Sequence, residues 1–313
     1  MNKFDFQKAD VYLRDGYVKF DEASLSIASS PVLYGLSVYT VFSMKWDEDK
    51  KKLYIFRLKD HYDRLIASAK ILDFHQFAEE WSFDKFKEVI SELLLRNNIE
   101  EDVLIRATVF IDELIAGTKI HGLKNSFSAY VYPMGEILSR KGVNACVSSW
   151  YRTPDNSIPS RAKINGSYVN ASLMKNEALL NGYDEAIAVD QSGHVCEGTI
   201  ANVFLVKDGM LITPPTQSDI LEGITRNTVI QMADELGIKC EERDIDRSEI
   251  YVADELFFCG SSANVTPVLS VDKRQIGHGA LGAVTKQIAD TYEDIRAGKN
   301  KKFSHWLSEV NRL

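Results

Sequence analysis

Arg161-Ala162-Lys163-Ile164-Asn165-Gly166-Ser167-Tyr168 decides how the rest of this chain is read. Asn165-Gly166 is a strong turn dipeptide, so Lys163 sits at the end of an extended piece, held by a sharp bend. Residues 153–159 before it form a proline-marked loop, and a helix begins near Ser167 after it. Most lysines ride on solvated helix faces. An amine fixed between a loop and a bend can serve as a covalent catalyst, although taken alone a surface charge is the commoner reading.

Beyond Tyr168 the helix runs to Gly182, an apt C-terminal stop. Residues 144–150, 185–189, 194–197, 202–206 and 210–213 then read as strands at short spacing, with turns at Gln191-Ser192-Gly193 and Asp208-Gly209. A helix follows Gly223-Ile224-Thr225 and ends at Leu236-Gly237; strands are expected over 255–259 and 268–271. Leu281, Val284, Ile288, Tyr292 and Ile295 mark a last helix. This pattern predicts a mixed-sheet, barrel-like domain.

The residues before Lys163 have another texture. Strands at 11–13 and 17–20 flank the hairpin dipeptide Asp15-Gly16. Residues 31–42 are rich in β-formers, and a strand at 53–57 runs into a helix over 58–72. Ser82 caps a helix whose apolar stripe is Phe83, Phe86, Val89, Ile90, Leu93 and Leu94. Strands at 103–111 and 126–132 complete an α+β domain. The predicted organisation is α+β with two domains: a smaller N-terminal α/β-sandwich-like domain over 1–133, a linker over 134–142, and a larger C-terminal mixed-sheet pseudo-barrel over 143–313.

Composition narrows the function. The chain has 313 residues and a net charge of −8, which argues against nucleic acid or an anionic membrane as partner. No signal peptide and no membrane-spanning run is read. Four scattered cysteines without a C-x-x-C pair fit a reduced, cytoplasmic setting. The six histidines show no ligand spacing, so no metal is expected. Gly277-His278-Gly279-Ala280-Leu281-Gly282 matches G-x-G-x-x-G, but it lies too near the C-terminus to complete a dinucleotide-binding unit and reads as a loop leading into a helix.

Four further places can carry chemistry. Gly223-Ile224-Thr225-Arg226 opens a helix, where free N–H groups and a hydroxyl suit an anion; an ordinary capped terminus reads the same way. Gly260-Ser261-Ser262-Ala263-Asn264 is a small-residue turn after a strand, suited to phosphate or carboxylate, or a plain loop. Arg57 follows an apolar strand and either enters a pocket or marks the strand's exit to solvent. Glu197, at a strand end before Gly198, is a surface carboxylate or the partner of a cofactor ring nitrogen.

Taken together these residues resemble class IV (fold type IV) pyridoxal-phosphate aminotransferases, most closely the branched-chain amino acid aminotransferases. The resemblance covers nearly the whole chain. It rests on Ile158-Pro159 through Pro215, on Leu221-Glu222-Gly223-Ile224-Thr225-Arg226, on Ala253-Asp254-Glu255-Leu256-Phe257, and on Gly260 through Pro267. It implies pyridoxal 5′-phosphate held on Lys163 as a Schiff base, with Lys163 also moving the α-proton. Glu197 is then implied at the pyridine nitrogen and Tyr168 at the phenolic oxygen. Arg57, Ile224, Thr225 and Ser261 are implied at the phosphate, and Ser262 and Ala263 at the substrate carboxylate, with Tyr39 and Arg106 lining the substrate pocket. The implied reaction passes an amino group from a branched-chain L-amino acid to 2-oxoglutarate in two half-reactions, in a homodimer.

The departures fall where substrate is chosen. An aromatic-Glu-Gly sequence is replaced by Tyr39-Thr40-Val41, and a tyrosine two residues before Arg106 is replaced by Leu104. The usually Gly- and Val-rich loop reads Glu113-Leu114-Ile115-Ala116-Gly117-Thr118-Lys119. A D-amino acid or amine transaminase and 4-amino-4-deoxychorismate lyase, of the same fold, therefore stand as alternatives.

Overall fold

The computed structural model describes residues 4–310. The first segment contains β1 (Asp10–Leu13), β2 (Gly16–Lys19), α1 (Ser30–Tyr34), β3 (Ser37–Asp47), β4 (Lys52–Phe56), α2 (Leu58–Ile71), α3 (His75–Glu80), α4 (Phe83–Arg96), β5 (Val103–Ile111) and β6 (Asn125–Pro133). It is followed by β7 (Val143–Tyr151), α5 (Tyr168–Leu180), β8 (Glu185–Val189), β9 (Val195–Gly198), β10 (Asn202–Lys207), β11 (Met210–Thr213), α6 (Ile224–Glu235), β12 (Cys240–Glu242), α7 (Arg247–Ile250), β13 (Glu255–Gly260), β14 (Asn264–Val271), β15 (Arg274–Gln275) and α8 (Ala283–Arg296).

These elements make two compact units. One holds the chain up to Gly135, Ala162–Gly166 and the residues from Ile295 on; the other holds Glu136–Arg161 and Ser167–Asp294. The units are close in size because two segments expected in the later domain cluster with the first. Residues 162–166 do so because Val38 bridges Ile164 and the Tyr39 N–H donates to the Lys163 carbonyl at 2.9 Å. The C-terminal residues do so because the strand Leu307–Val310, unmarked by any sequence pattern, pairs antiparallel with β4.

The first unit is one antiparallel sheet in the order Leu307–Val310, β4, β3, β5, β6, β1, β2. α2 packs on β3, and α4 on β1 and β6. Along α4 the stripe Phe86, Ile90, Leu93 and Leu94 is buried, each side chain contributing roughly 1.5–3 kcal/mol. Ser82 caps that helix by accepting from the Lys85 N–H. Phe77, Trp81, Phe86 and Phe127 form an aromatic cluster with centroids 4.4–5.8 Å apart, each pair adding roughly 0.5–1.5 kcal/mol beyond its buried area.

The second unit is a barrel. Its sheet runs β12, β11, β10, β13, β14, β7, β8, β9, and β9 pairs back to β10, closing six strands into a ring. The pairs β14–β7 and β7–β8 are parallel and the other four in the ring antiparallel, as a mixed-sheet pseudo-barrel requires. Val147, Ile187, Val203, Leu205, Leu256, Phe258 and Val268 build its core. The glycine-rich 277–282 stretch leads into α8, and the Glu255 carboxylate accepts the N–H groups of Val284 and Thr285. Cys146, Cys196 and Cys259 are buried thiols, and Cys240 is half-buried. No helix among the described residues is long and apolar enough to cross a membrane.

Candidate active site

In the first unit the chemistry gathers around Lys163. Its backbone is held on both sides: the N–H donates to Ser68 Oγ of α2 at 3.1 Å, and the carbonyl accepts from Tyr39 of β3. The bend after it is equally fixed. The N–H groups of Asn165 and Gly166 donate to the carbonyls of Ser37 and Gly35. Gly35 has φ 67°, and a Cβ there would lie 2.6 Å from the Gly166 Cα, so only glycine fits. The bend therefore sets where the lysine stands.

The Lys163 ammonium lies 5.0 Å from the Tyr39 ring centroid, and the Arg106 guanidinium stacks on the same ring at 3.6 Å. Arg106 also donates to Asn165 Oδ1 at 2.5 Å. Tyr39, Arg106 and Lys163 thus form one cluster. Below them Thr40 Oγ1 meets His61 Nδ1 at 2.7 Å and accepts from Arg64 Nη2 at 3.2 Å. His61 is only 1% exposed. Burial pushes its imidazole well below the usual histidine range, and the charges of Arg64, Arg57 and Lys163 push the same way.

Arg57 is buried, not a strand's exit to solvent. It caps α2 in the left-handed region, with φ 50°. Its Nε and Nη2 grip the Asp60 carboxylate at 2.9 and 2.8 Å, and its guanidinium lies 4.8 Å from the Trp306 ring. The guanidinium is thus fixed before any anion meets it.

In the second unit the centre is Glu197, which is buried rather than superficial. Arg152 Nη2 reaches Glu197 Oε1 at 2.7 Å. Oε2 accepts from Asn202 Nδ2 at 3.0 Å and from the Leu221 N–H at 3.2 Å. Asn202 also donates to the Leu221 carbonyl at 2.9 Å. A Cβ on Gly223 would stand 1.9 Å from Asn202 Oδ1, so the glycine makes room for the carboxamide that steadies Glu197.

Gly223 is the N-cap of α6 and makes no side-chain capping bond; Ile224 and Thr225 in the first turn are buried. The helix start thus offers N–H groups that no capping side chain takes. Register links it to the other turn: Asn202 pairs with Glu197 on one side and Cys259 on the other, and Ser261-Ser262-Ala263 follows directly in the β13–β14 turn. Tyr168 is the first residue of α5 and is half-buried.

Sequence reading missed Arg152, Asn202, His61 and Ser68. Arg152 directly precedes the proline-marked loop and carries no motif; Asn202 lies in a predicted strand within the stretch that carries the resemblance, but sequence reading assigns it no role of its own. His61 and Ser68 lie on the buried face of α2, where helical spacing signals only that they are inside.

Residues 39–271 match the family described as Amino-transferase class IV, and the chain belongs to it: this is an enzyme of the class IV aminotransferase type. It is 42% identical over 296 residues to a probable branched-chain-amino-acid aminotransferase of Aquifex aeolicus, covering 94% of each chain. The branched-chain amino acid aminotransferase of Thermobaculum terrenum in its PLP-form is similar at a TM-score of 0.92 and 32% identity, over 98% of this chain and 100% of that one. The branched-chain aminotransferase of the thermophilic archaeon Thermoproteus uzoniensis, solved with norvaline, is similar at a TM-score of 0.91 and 36% identity, over 97% of this chain and 99% of that one.

Proposed function

We propose that this chain is a pyridoxal 5′-phosphate-dependent aminotransferase that moves the amino group of a branched-chain L-amino acid to 2-oxoglutarate, with Lys163 as its covalent amine. The observation that carries the reading is the double backbone tether of Lys163, which fixes one lysine beside Tyr39 and Arg106.

Each unit supplies donors that fit the cofactor: a tethered amine and a fixed guanidinium in the first, a buried paired carboxylate and a helix start without a capping side chain in the second. When bound, the cofactor would supply an electron sink that lets the substrate α-proton leave. Lys163 would hold the cofactor through its side-chain amine and would take and return that proton at Nζ. Glu197 would pair with the ring nitrogen; two donors and Arg152 hold its carboxylate in place. Tyr168 hydrogen-bonds the phenolic oxygen. Arg57, the Ile224 N–H, Thr225 and Ser261 hold the phosphate. The N–H groups of Ser262 and Ala263 take the substrate carboxylate, and Tyr39 with Arg106 bounds the side-chain pocket. The exposed apolar run Val32, Leu33 and Tyr34 on α1 supports a homodimer.

The test has two parts. Borohydride reduction of the yellow protein should place pyridoxyl on the Lys163 peptide; label on another lysine, or none, overturns the assignment. With 2-oxoglutarate, leucine, isoleucine and valine should yield glutamate. Transfer confined to D-alanine or an aryl amine, or pyruvate released from aminodeoxychorismate without transfer, gives the site to one of the other activities of this fold.

A further inference from the structure

Chain spacing offers no histidine pair in ligand register, yet the first unit brings His75 and His121 together on Asp73. Asp73 lies in the turn after α2 at φ 60°, and His75 is the first residue of α3. His121 comes from the loop joining β5 to β6. That loop is closed at its base by the Asp112 N–H on the Lys124 carbonyl, and beside it a turn is closed by the Leu123 N–H on the Ile120 carbonyl. His121 Nδ1 lies 2.7 Å from Asp73 Oδ2, and His75 Nε2 faces Asp73 Oδ1. One ligand atom from each residue falls within 4.8 Å of the others, and the two rings meet edge to face at 6.4 Å.

We propose that Asp73, His75 and His121 form a binding site for a divalent transition-metal ion of the zinc class, which pins the β5–β6 loop to the turn between α2 and α3. The donor chemistry selects the ion. Calcium and magnesium take oxygen ligands, whereas two imidazoles and one carboxylate suit zinc and its neighbours. His121 is 84% exposed at its side chain, so water completes the coordination. The ion cross-links residues 73 and 121 across a loop that no other metal-ligating cluster touches among the described residues. None of the three ligands is a residue assigned to transamination, so the site does not depend on that assignment.

The test uses untagged full-length protein dialysed against chelator and then titrated with zinc chloride by calorimetry. One equivalent per chain is expected, with binding weakened about tenfold or more in His121→Ala and in Asp73→Asn. Asparagine tolerates the left-handed backbone at position 73, and an exposed histidine can be removed without disturbing the core, so both variants keep the fold. Zinc should also slow proteolysis within residues 113–123 of the wild type and not of His121→Ala. No binding by the wild type, or binding undiminished in both His121→Ala and His75→Ala, overturns the proposal.

Discussion

The two units fix their functional groups by different physics. Around Lys163 the fixing is done by the backbone: a carbonyl and an N–H tied to β3 and α2, and a bend locked by Gly35 against Gly166. The nearby buried titratable group, His61, is kept neutral. Around Glu197 the fixing is done by side chains and charge: a guanidinium on one oxygen, and a carboxamide and an N–H on the other. The contrast suits the tasks. A lysine that must form and release bonds needs its stem fixed, whereas a carboxylate that must hold one partner needs contacts at the charge itself.

If that contrast holds, Lys163→Ala gives the largest effect and the cleanest one. Both tethers run through backbone atoms that alanine retains, so the fold should persist while turnover falls about 10⁴-fold or more. Steady-state kinetics together with a thermal melt measure both. A rate near wild type would remove Lys163 from the chemistry, and a collapsed fold would show that its side chain is structural.

Arg152→Ala attacks the other half where it depends on charge. It strands a buried carboxylate, which costs about 3 kcal/mol at the lower end of the range for broken buried pairs. Urea unfolding should show that loss, and unchanged stability would mean that the other donors alone satisfy Glu197. His61 reports on the neutral half. Its folded pKa is depressed, so above about pH 6.5 it adds no pH dependence. Below that pH the unfolded state binds a proton that the folded state refuses. Stability then falls by up to about 1.4 kcal/mol per pH unit until the folded imidazole titrates. His61→Asn should flatten that slope between pH 7.5 and 5. An unchanged slope would assign it to other groups.

The same contrast explains what the sequence disclosed. Fixing by a turn leaves a mark, because Asn165-Gly166 and Gly35 are needed for conformation and are visible as residue types. The strand and helix patterns were legible for the same reason: α4 follows its apolar stripe, and β5 follows its β-formers. Fixing by long-range partners leaves none. Arg152 reaches Glu197 across 45 positions and Ser68 reaches Lys163 across 95, and nothing in either residue type announces it. The strand Leu307–Val310 was hidden likewise, since its four residues gain their place only from β4. His75 and His121 show the limit most sharply: 46 positions apart, they look unrelated until two loops bring them to one carboxylate.

The smallest expected effect tests the contrast most finely. Ser68 is fully buried; its hydroxyl donates to the Arg64 carbonyl at 2.8 Å and accepts the Lys163 N–H at 3.1 Å. Ser68→Ala deletes that acceptor, at a cost of about 1–2 kcal/mol in stability. Because the lost bond sets where the lysine stem stands, kcat should fall about tenfold while KM for the amino donor stays within twofold, in keeping with the steep dependence of rate on placement. Ser148→Ala is the matched control: that serine is also buried and donates to Glu177 Oε2, in the other unit and away from the proposed machinery. It should lower stability by a similar amount with kcat unchanged. If the two variants lose activity in parallel, Ser68 serves the fold alone, and the tether from α2 has no part in positioning the amine.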